Sequence, residues 1–296
     1  MIRILVALIC VFLVGVPILA AGPVFPGPRP GIAQAKVEGT QLILENDLLS
    51  VRWDLADGLH LIEAKDKSNS QSWSTGRSEC LKIVYYESPS PRARTVTGSQ
   101  MKMVRPPTIT DAPVSYAMKR RSDQYPGKQI LVHLVTQDKT LSVTWRASLR
   151  DEANYVRQTV ELQTGDEWVE LNKITLIDVS AKEAAVQGSV DGSPATAGQW
   201  FMGLEHPMSH SEVVTSENDK THRVQCSYLF APSLEPWKSQ SYIAVLGLAP
   251  RDQLRRGFLY YLERERAHPY RPFLLQSPGE DMAAIYSDLR GKRDEV

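Results

Sequence analysis

Leu141-Ser142-Val143-Thr144-Trp145-Arg146-Ala147 and Val156-Arg157-Gln158-Thr159-Val160-Glu161-Leu162 alternate apolar and polar residues one for one. A strand repeats every two residues, so each stretch sets one row of side chains on a core and the other in water. The same period governs the chain outward from this pair. Leu42-Ile43-Leu44, Leu49-Ser50-Val51-Arg52-Trp53 and Leu59-His60-Leu61-Ile62 are short segments punctuated by Asn46-Asp47 and Asp57-Gly58, the turn pairs of a β-meander. Residues 81–86 and 129–136 extend the pattern upstream, and 169–179, 186–190, 200–204, 224–230 and 242–248 extend it downstream. Many strands with almost no helix predict an all-β chain, a two-sheet antiparallel supersandwich rather than a βαβ fold. Residues 89–126, rich in proline and serine, are expected to form a long excursion over the sheet with room for one hairpin.

One helix is predicted, near the C-terminus. Pro250-Arg251-Asp252-Gln253 opens it, and Leu254, Phe258, Tyr261 and Leu262 recur at three- and four-residue steps on one face. Arginine and glutamate fill the other face through Arg266, and His268-Pro269 stops the helix. Gly257 sits mid-helix at a cost of about 1 kcal/mol relative to alanine, which implies a close packing contact there. The expected organisation is a signal peptide over 1–21, a Pro/Gly linker over 22–36, the β-supersandwich over 37–249, a C-terminal connector helix over 250–268 and an irregular tail over 269–296.

Met1-Ile2-Arg3 precedes an apolar run from Ile4 to Ala21 that ends on small residues. That is the pattern of a secretory signal peptide, so the chain is expected to be secreted or periplasmic. The run is also about the minimum length that crosses a bilayer. A retained anchor is therefore the alternative, and membrane is a partner only in that case. Lysine plus arginine equals aspartate plus glutamate at 34 each. Such a balance excludes the basic excess of a nucleic-acid binder, and the short clusters Lys119-Arg120-Arg121 and Arg255-Arg256 read as solvated surface. After the signal only Cys80 and Cys226 remain. Export permits a disulfide between them, and burial as two small apolar residues is the alternative; both stay open. No phosphate loop, nucleophile elbow or dinucleotide fingerprint is present in the sequence, so no cofactor is expected.

Three segments together resemble a known family. They are Leu44-Glu45-Asn46 with the following Leu49–Trp53 strand and Asp57-Gly58; Gly192-Ser193-Pro194 leading into Phe201-Met202-Gly203-Leu204-Glu205-His206-Pro207; and Arg264-Glu265-Arg266-Ala267-His268-Pro269-Tyr270-Arg271-Pro272-Phe273. The series resembles the N-terminal β-supersandwich region of bacterial α-galactosidase-like glycoside hydrolases of the melibiase and raffinose-synthase type. The resemblance spans about residues 37–273. It implies a galactose-mutarotase-like fold whose helical connector leads into a catalytic barrel. In the family that barrel carries the nucleophile and the acid/base aspartate. Here Leu274-Leu275-Gln276-Ser277-Pro278-Gly279 follows the connector, and neither aspartate can be mapped. The expectation is therefore a β region without its barrel, in which the helix face of Phe258, Tyr261 and Leu262 is exposed and invites self-association.

Glu205-His206-Pro207 is the segment most suited to ligand contact. A carboxylate accepts from hydroxyls and an imidazole accepts or donates, while Trp200 or Phe201 would offer a flat apolar face to a pyranose ring. Glu205, His206, Trp200 and Phe201 are thus the predicted carbohydrate-binding residues. The alternative is a structural corner in which Glu205 pairs with an arginine and Pro207 sets the turn. Hydrolysis needs two carboxyls about 5–9 Å apart, and nothing in the sequence pairs Glu205 with a second, so no catalytic residue is assigned. Asp191, in a Val-Asp-Gly turn, is expected to serve the backbone. The His206-x-x-x-His210 spacing would hold a metal only on a helix, which Pro207 restricts to a first turn, so no metal is expected. An aldose-epimerase-like enzyme using Glu205, His206 and His133 as acid and base is one alternative function. A non-enzymatic cell-envelope interaction module is the other. Trp73, Tyr85, Tyr86, Tyr116, Tyr125 and Trp237 are further aromatics that either stack on a sugar or pack inside.

Overall fold

The computed structural model describes residues 24–87, 92–116, 120–215, 222–229 and 232–266. The expected signal segment, the end of the connector and the tail lie outside the described residues. The chain opens with β1 (Gln34–Glu38), β2 (Gln41–Glu45), β3 (Leu49–Asp54), β4 (His60–Asp66) and β5 (Gln71–Glu79), a meander whose strands pair in sequence order. β6 (Lys82–Glu87) and β7 (Ala93–Thr97) form a hairpin. Then come β8 (Lys102–Asp111), β9 (Gly127–Val135), β10 (Leu141–Arg150), β11 (Tyr155–Thr164) and the long β12 (Val169–Ala181). β13 (Ala185–Val186), β14 (Ala195–Ala197), β15 (Trp200–Leu204), β16 (Ser209–Thr215), β17 (His222–Leu229) and β18 (Ser239–Leu248) follow, and α1 (Leu254–Glu265) ends the described part.

The fold is all-β and antiparallel with one C-terminal helix, in two stacked layers. One layer is an eight-stranded sheet of order β13-β14-β15-β18-β11-β10-β9-β8. The other is made by two five-stranded sheets, β1-β2-β3-β4-β5 and β16-β17-β12-β6-β7. These meet where β5 runs beside β12, and the Trp73 indole N–H donates to the Ser180 carbonyl at 2.9 Å. The alternating rows of β10 and β11 do what their period predicts. Leu141, Val143, Trp145, Ala147 and Leu149 face the core, as do Val160 and Leu162. Trp145 meets Trp53 of β3 edge-to-face at 5.3 Å and donates to Gln158 Oε1 at 3.2 Å, so one residue both fills the interlayer space and satisfies its polar edge. On the other side Tyr228 of β17 packs on Tyr242 of β18 at 5.0 Å and donates to the Ile243 carbonyl at 3.0 Å.

The largest departure from expectation lies in residues 89–126, where β7, of 5 residues, and β8, of 10, take up part of the expected irregular excursion. β8 is the edge of the eight-stranded sheet, exposed along nearly its whole length. It carries Pro106-Pro107 at a register irregularity between Arg105 and Thr108. An edge strand needs no apolar alternation and tolerates proline, which removes the signal that periodicity reads. β5 and β16 escaped for the same reason, and β13 is two residues long rather than five. The Pro/Gly stretch is not a free linker where it is described. Phe25 is 8% exposed and packs on Tyr260 of α1 at 5.3 Å. The Ala33 N–H donates to Asp151 Oδ1 at 2.9 Å, and β1 begins at Gln34. Gly31 turns there at φ +77°, where an added Cβ would lie 2.1 Å from Asp47 Oδ2.

The helix exists and lays its expected face on the sheet: Tyr261 is buried and Leu254 and Phe258 pack partly buried against the core, so that face is covered, not exposed as expected, except at Leu262. Leu259 and Leu262 are 45% and 39% exposed, whereas Gly257, Tyr260, Tyr261, Arg264 and Glu265 are buried. Arg264, expected in solvent, is 2% exposed. It bonds the Tyr260 hydroxyl and the Asp151 carbonyl, and its guanidinium lies 4.0 Å over the Tyr125 ring. Strand-end acceptors and rings take charges that a helical pattern assigns to water. The close approach expected at Gly257 is present, since an added Cβ would sit 2.6 Å from the Ala249 Cβ. Cys80 and Cys226 are separate buried thiols rather than a disulfide.

Candidate functional site

β15 delivers its last residue, Leu204, opposite Ala244 of β18, and the Glu205 N–H extends the ladder by donating to the Ile243 carbonyl at 3.0 Å. The chain then turns. His206 donates to the Leu204 carbonyl at 2.9 Å, and the Ser209 N–H closes on the His206 carbonyl at 3.1 Å before β16 begins. The turn at Asp191-Gly192-Ser193 lies against this one through the Gly192 N–H and the Ser209 carbonyl, 2.6 Å apart. Gly192 is needed there: at φ +79°, an added Cβ would come within 2.9 Å of the Pro207 carbonyl oxygen.

Glu205 is held in a fork. Arg157 of β11 donates from Nε to Oε1 at 2.7 Å and from Nη2 to Oε2 at 2.6 Å, and the Tyr261 hydroxyl reaches Oε1 at 3.3 Å. Burial works against the Arg157 charge, but the hydrogen bonds and charge of Glu205, with Glu265 beyond, outweigh it and hold the guanidinium above its ordinary value. Burial, then the charges of Glu205 and Glu265, push the Tyr261 hydroxyl far up, so it stays protonated and donates to Glu205. Glu265 of α1 lies 3.8 Å from Arg157 Nε and accepts from the Tyr155 hydroxyl at 2.5 Å. Arg120 stands 4.0 Å from Glu205 and 3.9 Å from Glu265. Two carboxylates and two guanidiniums therefore meet where the helix crosses the sheet.

His206 is exposed. Its Nδ1 accepts the Met208 N–H at 3.1 Å, which leaves Nε2 as the donor of the neutral ring, and the ring edge packs on Tyr228 at 5.6 Å. Burial pushes the Tyr228 hydroxyl up to about 12, so it stays protonated. Beside Glu205 and His206 opens a cleft of 570 Å³, walled by Pro194, Pro207, Phe258, Leu262, Glu265 and Arg120 among others. It joins an apolar wall to a charged floor.

Two predicted binding residues are corrected. Trp200 is 5% exposed, tilted against Trp73 at 6.2 Å, and Phe201 is 1% exposed between Phe258, Tyr261 and the backbone of Gly247. Neither ring has a face for a sugar, because all five residues of β15 are buried. His133 does not join Glu205 and His206. It sits on β9, four strands from β15 in the eight-stranded sheet, on the order of 19 Å away. There it contacts Arg105 and Thr144. Burial first, then the charges of Arg105 and Arg146, hold it below its ordinary value. His210, on β16, lies 3.7 Å from Asp191 and shares no helical face with His206. Of the other aromatics, Tyr85 is buried, Tyr125 lies under Arg264, and Tyr116 and Trp237 are exposed. Arg157, Glu265 and Arg120 were not predicted. Arg157 belongs to the polar row of a strand that reads as solvent-facing, and only the helix laid over it makes it part of a buried cluster.

Neither a protein-family model nor a curated protein sequence matches the chain. Solved structures do. The galactosidase domain of an α-galactosidase–sucrose kinase superposes with a TM-score of 0.52 at 7% identity, over 72% of this chain and 41% of that one. A GH36 α-galactosidase from Geobacillus stearothermophilus gives 0.50 at 11% identity, over 74% and 41%. The α-galactosidase from Lactobacillus brevis gives 0.50 at 9%, over 78% and 43%. At such identities the likeness is one of fold alone: the chain shares a β-sandwich fold with part of each of those chains. It spans about two fifths of the length of those chains.

Proposed function

We propose that this chain is an exported, carbohydrate-associated β-supersandwich that binds a saccharide in the cleft beside Glu205-His206-Pro207 and does not hydrolyse it alone. The observation that carries the reading is the cleft itself. Its 570 Å³ volume joins an apolar wall of Phe258 and Leu262 to the His206 imidazole and a charged floor. A pyranose has one C–H-rich face and a rim of hydroxyls, and such a lining complements both. Glu205 has both oxygens engaged by Arg157, so it acts as an organiser of the floor rather than as a free acid or base. The separation of His133 from this site disfavours the epimerase alternative. The fold likeness to α-galactosidases supports a galactose-type sugar as the first to try.

Titration calorimetry of the chain with D-galactose, D-glucose and raffinose tests the reading. Saturable heat with at least one of them is expected, weakened by His206→Ala and abolished by Leu262→Arg, which fills the cleft. No monosaccharide should be released from raffinose. Absence of binding by folded protein to every sugar would remove the proposal in favour of an interaction module.

A further inference from the structure

Glu265 contains one atom that the Arg157–Glu205 fork leaves unexplained. Its side chain is 7% exposed. Oε1 is occupied by the Tyr155 hydroxyl, but Oε2 is buried without any hydrogen-bond partner. The nearest cations, Arg157 Nε at 3.8 Å and Arg120 Nη1 at 3.9 Å, are in ion-pair range and beyond hydrogen-bond reach. Those two cations return part of the hydration that Oε2 loses, but a buried acceptor without a hydrogen bond still carries a cost, and such an atom calls for an explanation. Glu265 is also part of the cleft wall, with Oε2 itself closed to solvent in this conformation, so a ligand reaches that atom only as the carboxyl group turns toward the cleft. Resting on the reading of that cleft as a saccharide site, we propose that Glu265 Oε2 accepts a hydrogen bond from one hydroxyl of a neutral pyranose and is the specificity-determining residue of the site.

The local charge selects the ligand class. Arg157 and Arg120 balance Glu205 and Glu265, so a charged sugar of either sign would bring an unmatched charge into the site. A neutral hydroxyl satisfies the vacant acceptor without disturbing that balance. The same hydroxyl oxygen can accept from Arg120, whose guanidinium borders the same cleft. The apolar wall of Phe258 and Leu262 receives the C–H face of the ring.

Calorimetry with D-galactose and its 2-, 3-, 4- and 6-deoxy analogues decides the matter. Wild-type protein is expected to lose roughly 10- to 100-fold in affinity for one analogue, the factor set by a hydrogen bond to a charged acceptor. Glu265→Gln keeps the Tyr155 contact through its carbonyl and turns an amide donor to the cleft. It is expected to lose the same factor for galactose and nothing further for that analogue. Thermal unfolding establishes that the variant folds, and the analogue series on wild type decides alone if it does not. Equal wild-type affinity for all five sugars, or equal affinity of wild type and Glu265→Gln for galactose, overturns the assignment and leaves the saccharide reading standing. No binding of any sugar by folded wild type overturns that reading and the assignment with it.

Discussion

Arg157→Met should be the most damaging single conservative-volume change near the site. Methionine keeps much of the aliphatic stem, but it deletes the two bonds to Glu205 at 2.7 and 2.6 Å and the 3.8 Å contact with Glu265. Two carboxylates are then left side by side at the helix–sheet junction, with only Arg120 at about 4 Å to offset them. Breaking a buried pair by removing one partner costs about 3–5 kcal/mol. In a domain of this size each kcal/mol moves Tm by about 2–4 °C, so a fall of about 6–20 °C is expected at pH 7. The pH dependence carries the mechanism. Like charges at close range raise the pKa of the coupled pair, so folded variant binds protons that the unfolded chain has released. Stability from such a raised pKa is present at low pH and lost as pH rises. The deficit against wild type should therefore shrink from pH 7 towards pH 5. Arg157 itself, held above its ordinary value, stays charged throughout that range. Differential scanning calorimetry across pH 5–8 measures this, and Arg157→Met combined with Glu205→Gln and Glu265→Gln should recover most of the loss. A deficit below about 1 kcal/mol, as for an exposed pair, or one that grows on acidification, would refute the reasoning.

Gly257→Ala sets helix propensity, a gain of about 1 kcal/mol, against the overlap of the new Cβ with Ala249 at 2.6 Å, where overpacking costs about 1–3 kcal/mol. Tm should fall by a few degrees and be restored by Ala249→Gly in the same chain, whereas a rise on Gly257→Ala alone would show that the helix lifts freely. The thiols of Cys80 and Cys226 should resist a disulfide-exchange reagent at pH 8 in the native state and titrate fully after denaturation, because burial pushes Cys226 up to about 12 and Cys80 higher still. Stoichiometric native labelling of either, or no thiol after denaturation without reductant, would contradict the packing.

Some of the site was legible and some was not, for reasons that differ by residue. Glu205-His206-Pro207 stands out in the sequence because it follows a strand and ends in a turn residue, and the structure places His206 exposed beside a cleft. The companion aromatics failed because a short strand such as β15 has no period to show which face is buried. It lies between β14 and β18 and is covered on both faces, so Trp200 and Phe201 went inside. The pairing of Glu205 with an arginine was foreseen as the structural alternative, but its identity was not, since Arg157 lies 48 residues away in a different strand.

Alternation in the central strands was sufficient for an all-β antiparallel fold and for most of its interior, because a strand covered on one face must repeat at two. A four-residue repeat was sufficient for one helix after Pro250. The chain could not announce β5, β8 and β16, strands at sheet edges whose side chains do not alternate between core and water, β8 being exposed along nearly its whole length. Nor could it show that the helix buries two of its charged residues as well as its apolar face. That was decided by Tyr155, Asp151 and Arg157, which offer Glu265 and Arg264 partners and so draw two charges into the interior while Leu259 and Leu262 stay outside. Burial of a charge depends on partners brought together from distant strands, and no local pattern encodes them; the cleft and its vacant acceptor exist only once those strands have met.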